Sequence, residues 1–179
     1  MNPQEVILLV IDVQGKLATM MHQAKEVQHR CIKTIEIAKI FEIPILWSEQ
    51  APDKIGATVP EIAALLANQQ PIVKQSFSCY GCADFVNQIS ALRRKRVIVV
   101  GIETHVCVYQ TVRDLMKHGY QVDLVVDAVG ARDAFNHQVG VDRMRVEGAA
   151  ITSTEMLFCD LLESAANPRF KQVMLIFKR

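Results

Sequence analysis

Three residues of this chain could between them carry out acyl transfer: Asp12, Lys74 and Cys107. Each stands at or shortly after the end of a short apolar run. Val6–Ile11 precedes Asp12, Pro71-Ile72-Val73 precedes Lys74, and Val97-Ile98-Val99-Val100-Gly101 leads into the segment that carries Cys107. A carboxylate can take a thiol's proton, an ammonium can stabilise the thiolate, and the thiolate can attack an electrophilic carbon. Backbone N–H groups at a helix start can hold the oxyanion that develops. From Thr104 the spacing turns helical, with Val108, Thr111, Val112, Leu115 and Met116 on one face and Gly119 as the stop. Cys107 is therefore expected in the first helical turn, where the dipole favours a thiolate. Taken singly, each residue also has a structural reading. Asp12 suits a turn, Lys74 a surface lysine with a buried stem, and Cys107 a small core residue.

The runs that end at these residues belong to an alternation of strands and helices. Val6–Ile11, Ile45-Leu46-Trp47, Pro71-Ile72-Val73, residues 97–100, residues 122–126 and Ala149-Ala150-Ile151 read as strands. Helices are expected over about 23–42 and 58–67, the second with Thr58 and Glu61 at capping-box spacing. Another carries Phe85, Ile89 and Leu92 inward, and one follows over about 137–147. Thr152 and Glu155 again have capping-box spacing, for a helix over 152–163, and Asn167-Pro168 opens a last one carrying Phe170, Val173, Met174 and Phe177. Strands alternating with helices predict an α/β fold, a six-stranded parallel sheet covered on both faces. No linker, repeat or low-complexity segment divides residues 1–179, which read as a single domain. In such sheets ligands lie outside the C-terminal strand ends, near the point where strand order reverses. Asp12, Lys74 and Cys107 all fall on that rim.

Composition narrows the function classes. Half of the 179 residues are hydrophobic and 22% are charged, as in a folded globular protein with a substantial core. A net charge of +1 gives no electrostatic reason to expect nucleic acid or an anionic membrane as partner. The run Arg93-Arg94-Lys95-Arg96 reads as a solvated helix end. No stretch approaches the roughly 20 apolar residues needed to span a bilayer, and the first apolar run is too short for a signal peptide. Five cysteines without framework spacing point to a reducing compartment, the cytoplasm.

Further motifs follow in order along nearly the whole chain. They are Ile11-Asp12-Val13-Gln14, Pro71-Ile72-Val73-Lys74 with Phe77-Ser78, and Gly101-Ile102-Glu103-Thr104-His105-Val106-Cys107-Val108. Asp127-Ala128-Val129 with Arg132 and Ile151-Thr152-Ser153-Thr154-Glu155-Met156 complete the set. In these the sequence resembles the isochorismatase-like cysteine hydrolase family, and looks closest to its small single-domain members. The resemblance implies a Rossmann-like, three-layer α/β/α fold and a catalytic triad on Asp12, Lys74 and Cys107. It also implies a cis peptide at Ile102–Glu103 and an oxyanion hole made by the amides of Glu103 and Cys107. In members that cleave amides the cysteine forms a thioester that water hydrolyses. Others hydrolyse a vinyl ether without the cysteine, so the fold does not fix the reaction.

Departures and rivals shape the rest of the reading. Nicotinamidases of the family carry an Asp-x-His metal site with a further His after the second strand. Here Trp47-Ser48-Glu49-Gln50-Ala51-Pro52-Asp53-Lys54 holds no histidine, and His22, His29, His105, His118 and His137 are scattered, so neither metal nor cofactor is expected. Glu103 stands where the amidases commonly have a small residue, and either enters the pocket or turns from it. Asp12-Val13-Gln14 lacks the second Asp of the haloacid-dehalogenase motif, and no G-x-G-x-x-G follows the first strand. Cys79-Tyr80-Gly81-Cys82 is a C-x-x-C and raises the alternative of a thiol redox protein. A non-catalytic binding protein with a residual site is another. Gln14, Trp47, Phe77, Tyr80 and His105 are the substrate-pocket candidates. The expected activity is cysteine-dependent hydrolysis of a small molecule, with amides among the candidate substrates. A homo-oligomer is expected from the resemblance, and because Val173-Met174-Leu175-Ile176-Phe177 is more apolar than one helix face can bury.

Overall fold

The computed structural model describes residues 1–179. Six parallel strands, β1 (Val6–Ile11), β2 (Ile45–Gln50), β3 (Ile72–Lys74), β4 (Arg96–Ile102), β5 (Gln121–Gly130) and β6 (Ala150–Thr152), form one sheet in the order β3-β2-β1-β4-β5-β6. The helices in chain order are α1 (Gly15–Thr19), α2 (Ala24–Ile40), α3 (Pro52–Ile55), α4 (Pro60–Leu65), α5 (Ala83–Ala91), α6 (Tyr109–Lys117), α7 (Ala134–Val146), α8 (Thr154–Leu162) and α9 (Phe170–Phe177). From β1 the chain steps outward to β2 and β3, returns through α5 to β4, then steps outward the other way. Strand order therefore reverses between β1 and β4.

Both faces of the sheet are covered, which is why its strands read as unbroken apolar runs. Leu8, Val10, Ile98 and Val100 pack with Cys31 and Ile35 of α2, Ile62 of α4, Phe158 of α8 and Val173 of α9. Ile7, Leu9, Ile11, Val97 and Val99 face Phe85 and Ile89 of α5, Val112 and Leu115 of α6, and Met144 of α7. At the reversal the two central strands come very close. Gly101 has φ +124°, and a Cβ there would lie 2.1 Å from the carbonyl oxygen of Ile11. Only glycine fits.

Several elements differ from the sequence reading, each for a local reason. β2 runs on through Ser48, Glu49 and Gln50, where a loop is expected, because these polar residues find partners inside the protein. Thr58 does not cap α4. Its N–H and hydroxyl donate to Glu49 Oε1 at 2.7 and 2.8 Å, and the helix opens at Pro60 after Val59. β5 extends through Gly130, its pairing with β4 shifting register between Val99 and Gly101. Ser153 rather than Thr152 caps α8, accepting from the Met156 amide. Asn167 caps a turn ahead of α9, accepting from the Arg169 amide at 2.9 Å. In α9 the chain's own core covers Val173 and Ile176 and leaves Leu175 exposed. The basic run is mostly structural. Arg94 donates to the carbonyls of Pro3 and Val6, Lys95 lies over the Tyr120 ring, and Arg96 forks onto buried Asp123. No helix is long and apolar enough to cross a membrane.

Candidate active site

The rim at the strand-order reversal gathers Asp12, Lys74 and Cys107. Asp12 leaves β1 in the left-handed region at φ +50°, a conformation Asp tolerates better than most residues. Its amide donates to the carbonyl of Ser48 on the neighbouring strand at 3.2 Å. Lys74 ends β3 with its side chain wholly buried. Its Nζ donates to Asp12 Oδ2 at 2.6 Å, Gln50 Oε1 at 2.9 Å, and the carbonyls of Phe77 and Ser76 at 3.1 and 3.2 Å. An ammonium has three hydrogens, so these four acceptors surround it completely. Burial of the charge is tolerable because it is paired and fully hydrogen-bonded. Ser48 Oγ donates to the other carboxylate oxygen, Asp12 Oδ1, at 2.7 Å.

Cys107 reaches the same place from β4. The Ile102–Glu103 peptide is cis. Residues Thr104–Val108 then wind a π-turn, in which the Val108 amide donates to the carbonyl of Glu103 at 3.2 Å, before α6 begins. Cys107 thus lies in a wide turn rather than in the first α-helical turn, a local insertion of the kind often found at functional sites. Gly140 lets α7 press against this turn, since a Cβ there would stand 3.1 Å from His105 Cα. Cys107 is only 8% exposed. Its pKa is pushed up to about 12, chiefly by burial and then by the Asp12 charge, with Lys74 pulling the other way and the Asp12 hydrogen bond raising it further. The expected stabilised thiolate is therefore not the resting form. Lys74 is committed to Asp12, so Cys107 rests as a buried thiol under the influence of the Asp12 charge.

The other candidates scatter. Gln14 is fully buried. Its Nε2 donates to the carbonyls of Gln50 and Gly56, and its Oε1 accepts from the Gln50 amide at 2.6 Å. That clamp ties the end of β2 to the turn after α3 and uses both amide hydrogens. Trp47 packs with Val10, Val59 and Ile62 in the core on the α2 face, the face opposite Cys107, with its Nε1 unpartnered. Tyr80 stacks on His118 at 4.0 Å, and His118 caps the C-terminal end of α6, the end away from Cys107. Phe77 is exposed on the loop whose carbonyl takes Lys74. His105 is half-buried within the π-turn, its Nδ1 buried without a partner. Glu103 gives its carboxylate to Arg132, Oε2 accepting from Nε at 3.0 Å and from the backbone amide at 3.3 Å.

The C-x-x-C thiols diverge. Cys79 is buried and its Sγ reaches Ser48 Oγ at 3.5 Å, while Cys82 approaches the carbonyl of Val73 at 3.7 Å. Burial, then the Asp12 charge, pushes the Cys79 thiol up to about 11. No three His, Cys, Asp or Glu side chains converge as metal ligands. Sequence reasoning missed Ser48 and Gln50. Both sit at the end of β2, and pairing that strand beside β1 in parallel register would have placed Ser48 opposite Ile11, next to Asp12.

A family model described as the Isochorismatase domain matches residues 6–156, a span that contains Asp12, Lys74 and Cys107. Isochorismatase domain-containing protein 2A of Mus musculus is 31% identical over 98% of this chain and 84% of its own length. The secreted isochorismatase effector Isc1 of Phytophthora sojae is 33% identical over 98% of this chain and 86% of its own. Among solved structures, the MAR1 ribonuclease of Caenorhabditis elegans superposes with a TM-score of 0.92 at 34% identity, covering 100% of this chain and 92% of that one.

Proposed function

Because the chain belongs to the isochorismatase family, we propose that it hydrolyses a small molecule, with an amide as the bond broken, through a thioester on Cys107. The observation that carries this reading is the buried Lys74–Asp12 pair at 2.6 Å, whose carboxylate charge acts on the Cys107 thiol. Thiol, carboxylate and ammonium together carry no net charge, so a proton can move within the group without a bare charge forming in a buried place.

In the first half-reaction Asp12 takes the thiol proton as sulfur bonds to the carbonyl carbon, and the C=O electron pair moves onto oxygen. The amides of Glu103 and Cys107 receive that oxyanion. Its collapse restores the C=O bond and expels the amine, which leaves with the proton held by Asp12. Water then attacks the thioester, giving its proton to Asp12. Sulfur departs and recovers that proton, and a carboxylic acid is released. Lys74, held against Asp12 at 2.6 Å, offsets the negative charge as it passes between oxygen and sulfur. With only a sliver of Cys107 exposed, a compact acyl group suits the site better than a polymer.

The C. elegans relative is named a ribonuclease, and its likeness spans this whole chain, so RNA enters the test as a second substrate class. The experiment measures ammonia release from a panel of small primary amides, and cleavage of a labelled RNA, with wild type and Cys107→Ala. Amide turnover that vanishes in Cys107→Ala is the expected result. RNA cleavage that survives Cys107→Ala, with no amide turned over, would overturn the reading.

The same reading makes the chain a homo-oligomer. Phe135, Val139 and Val146 leave an apolar edge on α7 exposed, and Leu175 does the same on α9. A monomer by light scattering at micromolar concentration contradicts it. The five cysteines are all free, which suits a reducing cytoplasm.

A further inference from the structure

Ser48 takes no part in the steps above, yet it holds Asp12 at two points. Its carbonyl accepts from the Asp12 amide at 3.2 Å, and its hydroxyl donates to Asp12 Oδ1 at 2.7 Å. Lys74 donates to Oδ2. Each carboxylate oxygen therefore has its own fixed donor, and the plane of the carboxylate cannot turn without losing one of them. Solvent offers no substitute, since Ser48 is 1% exposed and Asp12 3%.

The hydroxyl is itself constrained. On its far side lies the thiol of Cys79, at 3.5 Å. Cys79 is fully buried and is held by its amide, which donates to Thr111 Oγ1 at 2.9 Å. A carboxylate has no hydrogen to give, so the chain from Cys79 through Ser48 to Asp12 runs in one direction only, S–H to O–H to O⁻. A thiol donating to a hydroxyl also polarises it toward its own acceptor.

We propose that Ser48 is a positioning residue that aims the Asp12 carboxylate at Cys107, with Cys79 as the buttress of its hydroxyl. The proposal rests on the reading of Asp12 as the base. It also gives the first thiol of the C-x-x-C sequence a task that involves no redox chemistry. Ser48 touches neither substrate nor the reacting sulfur, so its influence must pass through the carboxylate.

The test follows acylation of Cys107 by p-nitrophenyl acetate across a pH series, read as the part of nitrophenolate release that is absent from Cys107→Ala. A carboxylate that loses a hydrogen-bond donor takes up its proton at higher pH, so Ser48→Ala moves the acid limb of the profile upward by about one pH unit. The plateau rate falls about tenfold, the size expected for one hydrogen bond to a charged group. Ser48→Thr, which keeps the hydroxyl, restores the limb, and guards against a fold defect in the alanine variant. Cys79→Ala shifts the limb the same way by a smaller amount. A merely structural Ser48 would change the melting temperature and leave the limb in place, and that result overturns the proposal. Asp12→Asn separates the two readings. If it abolishes the limb while Ser48→Ala overlays wild type, Asp12 is the base and the proposal alone fails. If Asp12→Asn keeps the wild-type limb, both are wrong.

Discussion

Lys74→Met is the most informative single perturbation of the buried centre. Methionine fills much of the lysine's volume but removes the cation that faces Asp12 at 2.6 Å, where the two side chains are 0% and 3% exposed. Removing one partner of such a pair leaves an uncompensated buried charge and costs about 3–5 kcal/mol. Gln50 Oε1 and the carbonyls of Ser76 and Phe77 lose their donor as well, each adding up to about 1 kcal/mol. Against a typical total of about 5–15 kcal/mol, the variant is close to the edge of folding. For a domain of this size the 3–5 kcal/mol of the broken pair alone lowers the midpoint by roughly 6–20 °C. Adding Asp12→Asn takes away the naked charge, so the double variant should be more stable than Lys74→Met alone, with a coupling of about 2 kcal/mol or more. Urea unfolding of the four proteins in the cycle measures this. A Lys74→Met protein within about 1 kcal/mol of wild type, or a strictly additive cycle, would refute the reasoning.

Other expectations follow from the same geometry. Gly140→Ala places a Cβ 3.1 Å from His105 Cα. It should cost about 1–3 kcal/mol and slow Cys107 acylation more than it lowers stability, as shown by comparing melting with single-turnover rates. Iodoacetamide at neutral pH should label Cys159, which is exposed, and half-buried Cys82 before Cys107, whose thiol is pushed up to about 12. Peptide mapping with time gives the order. His137 is held below its ordinary 6.5, first by burial and then by the charge of His22. A depressed histidine contributes stability that is complete above pH 6.5 and is lost as pH falls through its folded value. His137→Gln should therefore flatten the fall in stability below pH 6.5, measured as melting temperature against pH.

Much of this architecture was legible because its strands are buried on both faces. Val6–Ile11 is an unbroken apolar run, and its limits in the structure match the limits in the sequence. The longer helices were legible to within a few residues from their spacing, whereas the short α1 and α3 were not expected. Strand ends were harder, and β2 shows why. Ser48, Glu49 and Gln50 remain in the sheet because Asp12, Thr58 and Gln14 satisfy them, and no hydrophobic period reveals a polar residue whose partner is 9 or 36 residues away. The same blindness hid the anchors of Asp12 and Lys74. Capping signals misled by one position or more at Thr58 and Thr152, since a hydroxyl with a stronger tertiary acceptor, or a better-placed neighbour such as Ser153, takes the role. For Cys107 the sequence placed the residue shortly after β4 but gave the wrong expectation for its protonation state. A helix dipole argues for a thiolate, whereas burial next to a carboxylate already paired with Lys74 argues for a thiol, and burial is the larger effect.

The central claim is that Cys107 carries the acyl group during turnover. Rapid acid quench during steady-state hydrolysis of an amide, followed by intact mass measurement and peptide mapping, tests it directly. The account predicts an acyl adduct on Cys107 alone, present in wild type, absent in Cys107→Ala, and strongly reduced when Asp12→Asn removes the base. Steady hydrolysis with no adduct on any cysteine, continuing at an undiminished rate in Cys107→Ala, would contradict it.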